Sequence, residues 1–136
     1  LSLHNFSLSL GYAQEETLAV AQLLLGGVLD RHPALDICIS HGGGTAAFLA
    51  EKIDQLDQVD STDSEGVKQN GFGHELKKLW FDTHVKGEVA ATALRHYAHE
   101  EKLVLGTNLG GFDTPEALNA DAERLSQNAR QLLRLP

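Results

Sequence analysis

Three short apolar runs, each closing on polar residues and separated by helical patterns, set the limits on what this chain can fold into. Leu35, Ile37, Cys38 and Ile39 end at Ser40 and His41. Leu79, Trp80 and Phe81 end at Asp82, Thr83 and His84, and Leu103, Val104 and Leu105 end at Gly106, Thr107 and Asn108. A strand that is apolar on both faces belongs in a parallel sheet covered by helices, because a half-solvated antiparallel strand would alternate.

The segments between the runs carry apolar residues at spacings of three and four, which predicts helices. One spans about 14–31, with Val20, Ala21, Leu23, Leu24, Leu25 and Val28 inward; Pro33 ends it, and Glu15 and Glu16 in its first turn suit the positive dipole end. Others are expected at about 45–58 (Phe48, Leu49, Ile53, Leu56 inward) and 88–99 (Val89, Ala93, Leu94, Tyr97 inward). A last helix has Thr114 and Pro115 as N-cap and first position and Leu118, Ala122, Leu125, Ala129 and Leu132 on its apolar stripe. Residues 1–11 read as a strand remnant and loop, 60–73 as a surface loop, and 74–78 as a short helix. Alternating strands and helices build a parallel sheet through right-handed crossovers. The expected class is α/β, a partial (β/α)8 barrel. A whole barrel needs roughly 200 to 250 residues, and this chain has 136, so it supplies about half.

Composition removes several function classes. The net charge is −8 and the eleven basic residues are scattered, whereas phosphate binding needs clustered Lys and Arg; no nucleic-acid partner is expected. No apolar stretch approaches the roughly 20 residues of a membrane span, and residues 1–10 lack the features of a signal peptide. Cys38, the single cysteine, sits in an apolar run where burial is expected, and a lone cysteine forms no internal disulfide. That points to a reducing, cytoplasmic setting. The chain starts at Leu1 and contains no methionine, so it reads as a fragment or truncated gene product.

In parallel α/β folds the chemistry gathers where strands end, so the three polar strand ends should face one pocket mouth. His41 stands out among them. It follows an apolar strand and precedes Gly42, Gly43 and Gly44, which let the backbone turn sharply and leave room for a ligand beside the imidazole. Histidine suits proton transfer near neutral pH or metal ligation; the alternative is a histidine that caps the next helix. Asp82 and His84 fit loop capping or orientation of a neighbour better than catalysis. His4, His32, His74, His96 and His99 lie in loops or on helix faces and read as solvated or structural. The glycine triplet lacks the Lys-Ser/Thr pair of a P-loop.

The segments Gly11-Tyr-Ala-Gln-Glu-Glu-Thr-Leu-Ala-Val, Gly26-Gly-Val-Leu-Asp-Arg-His-Pro and His41-Gly-Gly-Gly, then Phe81-Asp-Thr, Leu103-Val-Leu-Gly-Thr and Asn128-Ala, occur in an order that resembles the amidohydrolase-related family containing aminocarboxymuconate semialdehyde decarboxylase. The resemblance covers nearly the whole chain. It implies that residues 1–136 are the C-terminal portion of a distorted (β/α)8 barrel with a divalent metal, usually zinc. It further implies a small-molecule substrate: family members decarboxylate or hydrate aromatic and unsaturated acids, or hydrolyse lactones. By the same resemblance, His41 is the acid/base acting on metal-bound water, whose pKa the metal lowers. Asn108 stands where the family carries a metal-binding aspartate. An amide ligates weakly and accepts no proton, and Asp113 nearby is a compensating carboxylate. The family's His-X-His metal pair lies on a first strand that this chain does not contain, and His4 is not assigned as a further ligand. A zinc site needs three or four protein groups, so little or no turnover is expected of the chain alone. The competing expectation is a catalytically inactive half-barrel or assembly scaffold, because an open parallel sheet has two edge strands that favour a homo-oligomer.

Overall fold

A computed structural model describes residues 3–57, 62–111, 114 and 121–136. Three strands, β1 (Cys38–Ile39), β2 (Trp80–Asp82) and β3 (Leu103–Val104), form one sheet in the order β1-β2-β3. Both pairings are parallel. Around them run α1 (Tyr12–Leu25), α2 (Val28–Arg31), α3 (Ala46–Asp57), α4 (Glu65–Asn70), α5 (Phe72–Glu75), α6 (Glu88–Tyr97) and α7 (Ala122–Leu132). The expected class is borne out: the chain is a partial (β/α)8 barrel.

The register explains the core. Ile39 pairs with Phe81 and Phe81 with Leu103, so all three project from one face. They are buried together with Val20 and Leu24 of α1, Ala46 and Ala50 of α3, Leu94 of α6 and Leu125 of α7. Burying one such side chain is worth about 1.5–3 kcal/mol, which is why helices whose own propensity is marginal hold on this face. Asn128, buried on α7, donates to the carbonyls of Glu100 and Leu103 at 2.8 Å each and locks that helix to β3. The Asn128-Ala match is therefore structural.

Several expectations are corrected. Residues 3–11 are not extended: they form short 3-10 and π turns (Leu3–Asn5, Ser7–Gly11), and the amide of Tyr12 bonds back to Ser7, running the turn into α1. The first helix breaks at Gly26-Gly27, where Gly27 has φ 63° and lies against the Asp63 carbonyl. The expected surface loop contains α4, because Ser64 caps it by accepting from Val67 N and bonds Asp30 at 2.7 Å. The short helix lies at Phe72–Glu75 and Leu76–Lys78. Cys38 is exposed, since it projects from the sheet face opposite Ile39. Phe48 (78% exposed) and Val89 (84%) face outward; on their helices Ala46, Ala50 and Leu94 take the core instead. Pro115 and Leu118, and Asp113, lie outside the described residues.

Candidate active site at the strand ends

The end of β1 turns abruptly. His41 has φ 48°, a left-handed conformation that costs a non-glycine residue about 1–2 kcal/mol, and Gly42, Gly43 and Gly44 all have positive φ. The glycines make room for neighbouring protein. A Cβ on Gly43 would lie 2.9 Å from the Phe81 ring, and one on Gly42 would lie 2.6 Å from Val85. A Cβ on Gly44 would sit 2.2 Å from the Ala13 carbonyl oxygen and 2.7 Å from Thr17 Oγ1. The triplet thus lets α1 lie directly on the loop. Thr45 N then donates to Thr17 Oγ1 at 2.9 Å, and the two threonine hydroxyls are 3.0 Å apart.

That approach delivers a residue the sequence reading used only as a helix-end carboxylate. Glu16, beside Thr17, accepts from Ser40 Oγ and bonds His41 Nδ1, both at 2.7 Å through Oε1. Its signal in the sequence was its place in the Gly11-to-Val20 segment of the family resemblance. The Glu16 side chain is 17% exposed and that of His41 43%.

The other strand ends meet the first. Asp82 Oδ1 accepts from Gly42 N at 3.3 Å and from His84 N at 3.1 Å, so Asp82 ties two loops together in the capping role expected of it. The buried His84 ring stands 5.4 Å from that of His41 in an edge-on arrangement. Gly106, at the end of β3, packs against the backbone of His84 and the carboxyl of Asp82, and its amide donates to Thr83 Oγ1. Two residues on, Asn108 has φ 46°; its side-chain amide lies against Gly111, and its carbonyl accepts from Gly111 N and Thr114 Oγ1. His4, His32, His74, His96 and His99 are all exposed. Beside the glycine turn lies an apolar groove of about 380 Å³, with Gly42, Phe48, Val85, Val89 and Leu94 among its walls.

Among the described residues, no three of His, Cys, Asp and Glu are close enough together to hold a metal ion. Asn108 contributes one neutral oxygen at most. The described residues therefore do not by themselves fit a zinc site. No described helix is long and apolar enough to cross a membrane.

Parallel strands alternating with helices, their polar ends converging beside a carboxylate-bound histidine, match part of a (β/α)8 barrel, the fold whose functional groups gather at the strand ends. The chain belongs to the amidohydrolase family, whose model, described as Amidohydrolase, matches residues 1–135. It is 31% identical over 98 residues to the 2-amino-3-carboxymuconate-6-semialdehyde decarboxylase of Dictyostelium discoideum, a match covering 72% of this chain and 27% of that protein. It superposes on the apo IDCase of Metarhizium anisopliae with a TM-score of 0.66 at 30% identity, covering 97% of this chain and 36% of the other. The 4-oxalomesaconate hydratase of Rhodopseudomonas palustris shares the fold, with a TM-score of 0.64 at 19% identity over 93% of this chain and 43% of that one. The chain thus spans well under half the length of each of these proteins.

Proposed function

We propose that residues 1–136 are the C-terminal portion of one amidohydrolase-type barrel, which hydrolyses or decarboxylates a small carboxylic or aromatic acid in the cytoplasm with His41 as acid/base. The observation that carries this reading is the His41–Glu16 bond at the rim where the three strand ends meet. A ring held by a carboxylate yet 43% exposed combines orientation with access to substrate, which proton transfer requires. The similarity to a decarboxylase supports a carboxylic acid as the substrate class. The family resemblance implies a divalent metal, usually zinc, which would supply an activated water, although the described residues do not by themselves fit one. Asn108 is the ligand this chain would offer.

The second reading, an inactive half-barrel or scaffold, draws on the lack of a metal-holding cluster among the described residues and on the exposed Phe48 and Val89. Two measurements separate the readings. In the full-length protein with added zinc, carbon dioxide release or hydration across a panel of unsaturated and aromatic acids should depend on His41, and His41→Ala should lower kcat at least ~100-fold. Turnover that survives His41→Ala overturns the acid/base assignment. The isolated chain should show little turnover, and size-exclusion chromatography should show self-association if the scaffold reading holds.

A further inference from the structure

The Glu16–His41 contact carries a consequence for how the imidazole works. A carboxylate only accepts hydrogen bonds. Since Glu16 Oε1 lies 2.7 Å from His41 Nδ1, that nitrogen must bear the proton, and in the neutral ring Nε2 is the basic atom. Ser40 Oγ donates to the same oxygen at 2.7 Å and fixes the carboxylate from a second side. Glu16 Oε2 is buried and has no hydrogen-bond partner among the described residues. A buried carboxylate oxygen without a partner is costly to keep, and helix stability does not ask for it: Glu15, one position earlier and exposed, already serves the dipole at the start of α1.

The placement of Glu16 is also over-determined. Thr17 is held by its own bond to the Ala13 carbonyl at 2.6 Å and by Thr45 N, and Gly44 admits no side chain between the loop and α1. The backbone that carries Glu16 is thereby fixed against the loop that carries His41. The buried His84 ring packs edge-on to the imidazole with centroids 5.4 Å apart.

We propose that Glu16 is a positioning residue: its carboxylate holds His41 in the Nδ1–H form, aims the ring, and stabilises the imidazolium while Nε2 takes up and returns a proton. The assignment rests on the reading of His41 as acid/base. The proton balance is simple: Nε2 gains one proton from substrate or water and later gives it back, while the Nδ1 proton stays between ring and carboxylate.

The test is nitrogen-15 NMR of the imidazole in this chain, which reads the tautomer with no need of turnover. In the unaltered chain, at a pH where the His41 ring is neutral, it should show a protonated Nδ1 and a pyridine-like Nε2; a protonated Nε2 with bare Nδ1 overturns the proposal. Glu16→Ala should shift His41 toward the Nε2–H form, while Ser40→Ala, which spares the carboxylate, should leave the tautomer in place. If Glu16→Ala fails to fold, the unaltered chain still decides the matter, and Glu16→Gln provides the shape-preserving variant for kinetics. In the full-length enzyme Glu16→Gln should lower kcat roughly 10- to 100-fold with KM nearly constant, the range seen when a partner that orients a functional histidine is removed. An unchanged tautomer in Glu16→Ala together with unchanged kcat in Glu16→Gln overturns the role. If the tautomer shifts as expected but no acid is turned over by any form, the positioning stands and the proposed function fails.

Discussion

The two ends of the same three strands use their polar residues differently. At the N-terminal end, Asp36 accepts from the Trp80 indole at 3.1 Å and from Arg134 at 3.3 Å. Lys102 lies over the Trp80 ring and donates to the Lys78 carbonyl at 2.6 Å. Each of these groups joins one element to another. At the C-terminal end the backbone is left-handed at His41, Asn108 and three consecutive glycines, and a carboxylate oxygen of Glu16 is buried without a partner among the described residues. Left-handed backbone and an unpartnered buried oxygen also occur away from this end, at Arg134 and Glu75; what sets the C-terminal end apart is that several such groups gather around one imidazole, in the kind of place where parallel α/β proteins keep their functional groups. One end of the sheet is built to hold, the other to present groups.

Substitutions can break that contrast. The largest effect is expected from Gly44→Ala. The new methyl would overlap the Ala13 carbonyl, and the loop has φ 63° and ψ −117° there, a region that side chains avoid. A loss of about 3 kcal/mol or more is expected in urea unfolding, together with loss of the His41 tautomer signal as α1 lifts. A loss under about 1 kcal/mol would show that the helix does not depend on this contact.

Asp36→Ala, at the opposite end, should cost about 1 kcal/mol by orphaning the Trp80 indole N–H and leave the His41 ring spectrum untouched. A changed spectrum would mean that the two ends are coupled. Acid titration sharpens the same point. The Trp80 indole and then Arg134 hold the Asp36 carboxyl below its usual range, and the Ser64 hydroxyl does the same for Asp30. With folded pKa values depressed, these groups contribute stability that is complete above the unfolded carboxylate value of about 3.9 and is lost as pH falls through the lower folded values. The gap between thermal melts of the parent chain and Asp36→Ala should therefore begin to narrow below about pH 4 and go on narrowing as the pH falls further; a gap that stays constant to pH 2 rules the linkage out.

The smallest effect should come from Gly111→Ala. A Cβ there meets the end of the Asn108 side chain at 2.3 Å, not backbone, and a side-chain end can rotate aside. A cost below about 1 kcal/mol is expected, with the change confined to Asn108 resonances. A cost equal to that of Gly44→Ala would mean that the two left-handed strand-end loops are equally rigid.

The sequence by itself determined the alternation of helices with parallel strands and the polar strand ends, because a run apolar on both faces can be buried in only one kind of sheet. It singled out His41 for the same reason: a polar residue straight after a buried strand has only the rim to occupy. The capping role of Asp82 was also within reach of local reasoning. What only the tertiary structure decided was distance. Glu16 and His41 are 25 residues apart, and no periodicity records that the helix of one rests on the glycine turn of the other. The outward faces of Phe48, Val89 and Cys38 were hidden likewise. Apolarity says that a side chain gains by leaving water, but whether anything stands opposite to cover it depends on how the elements pack.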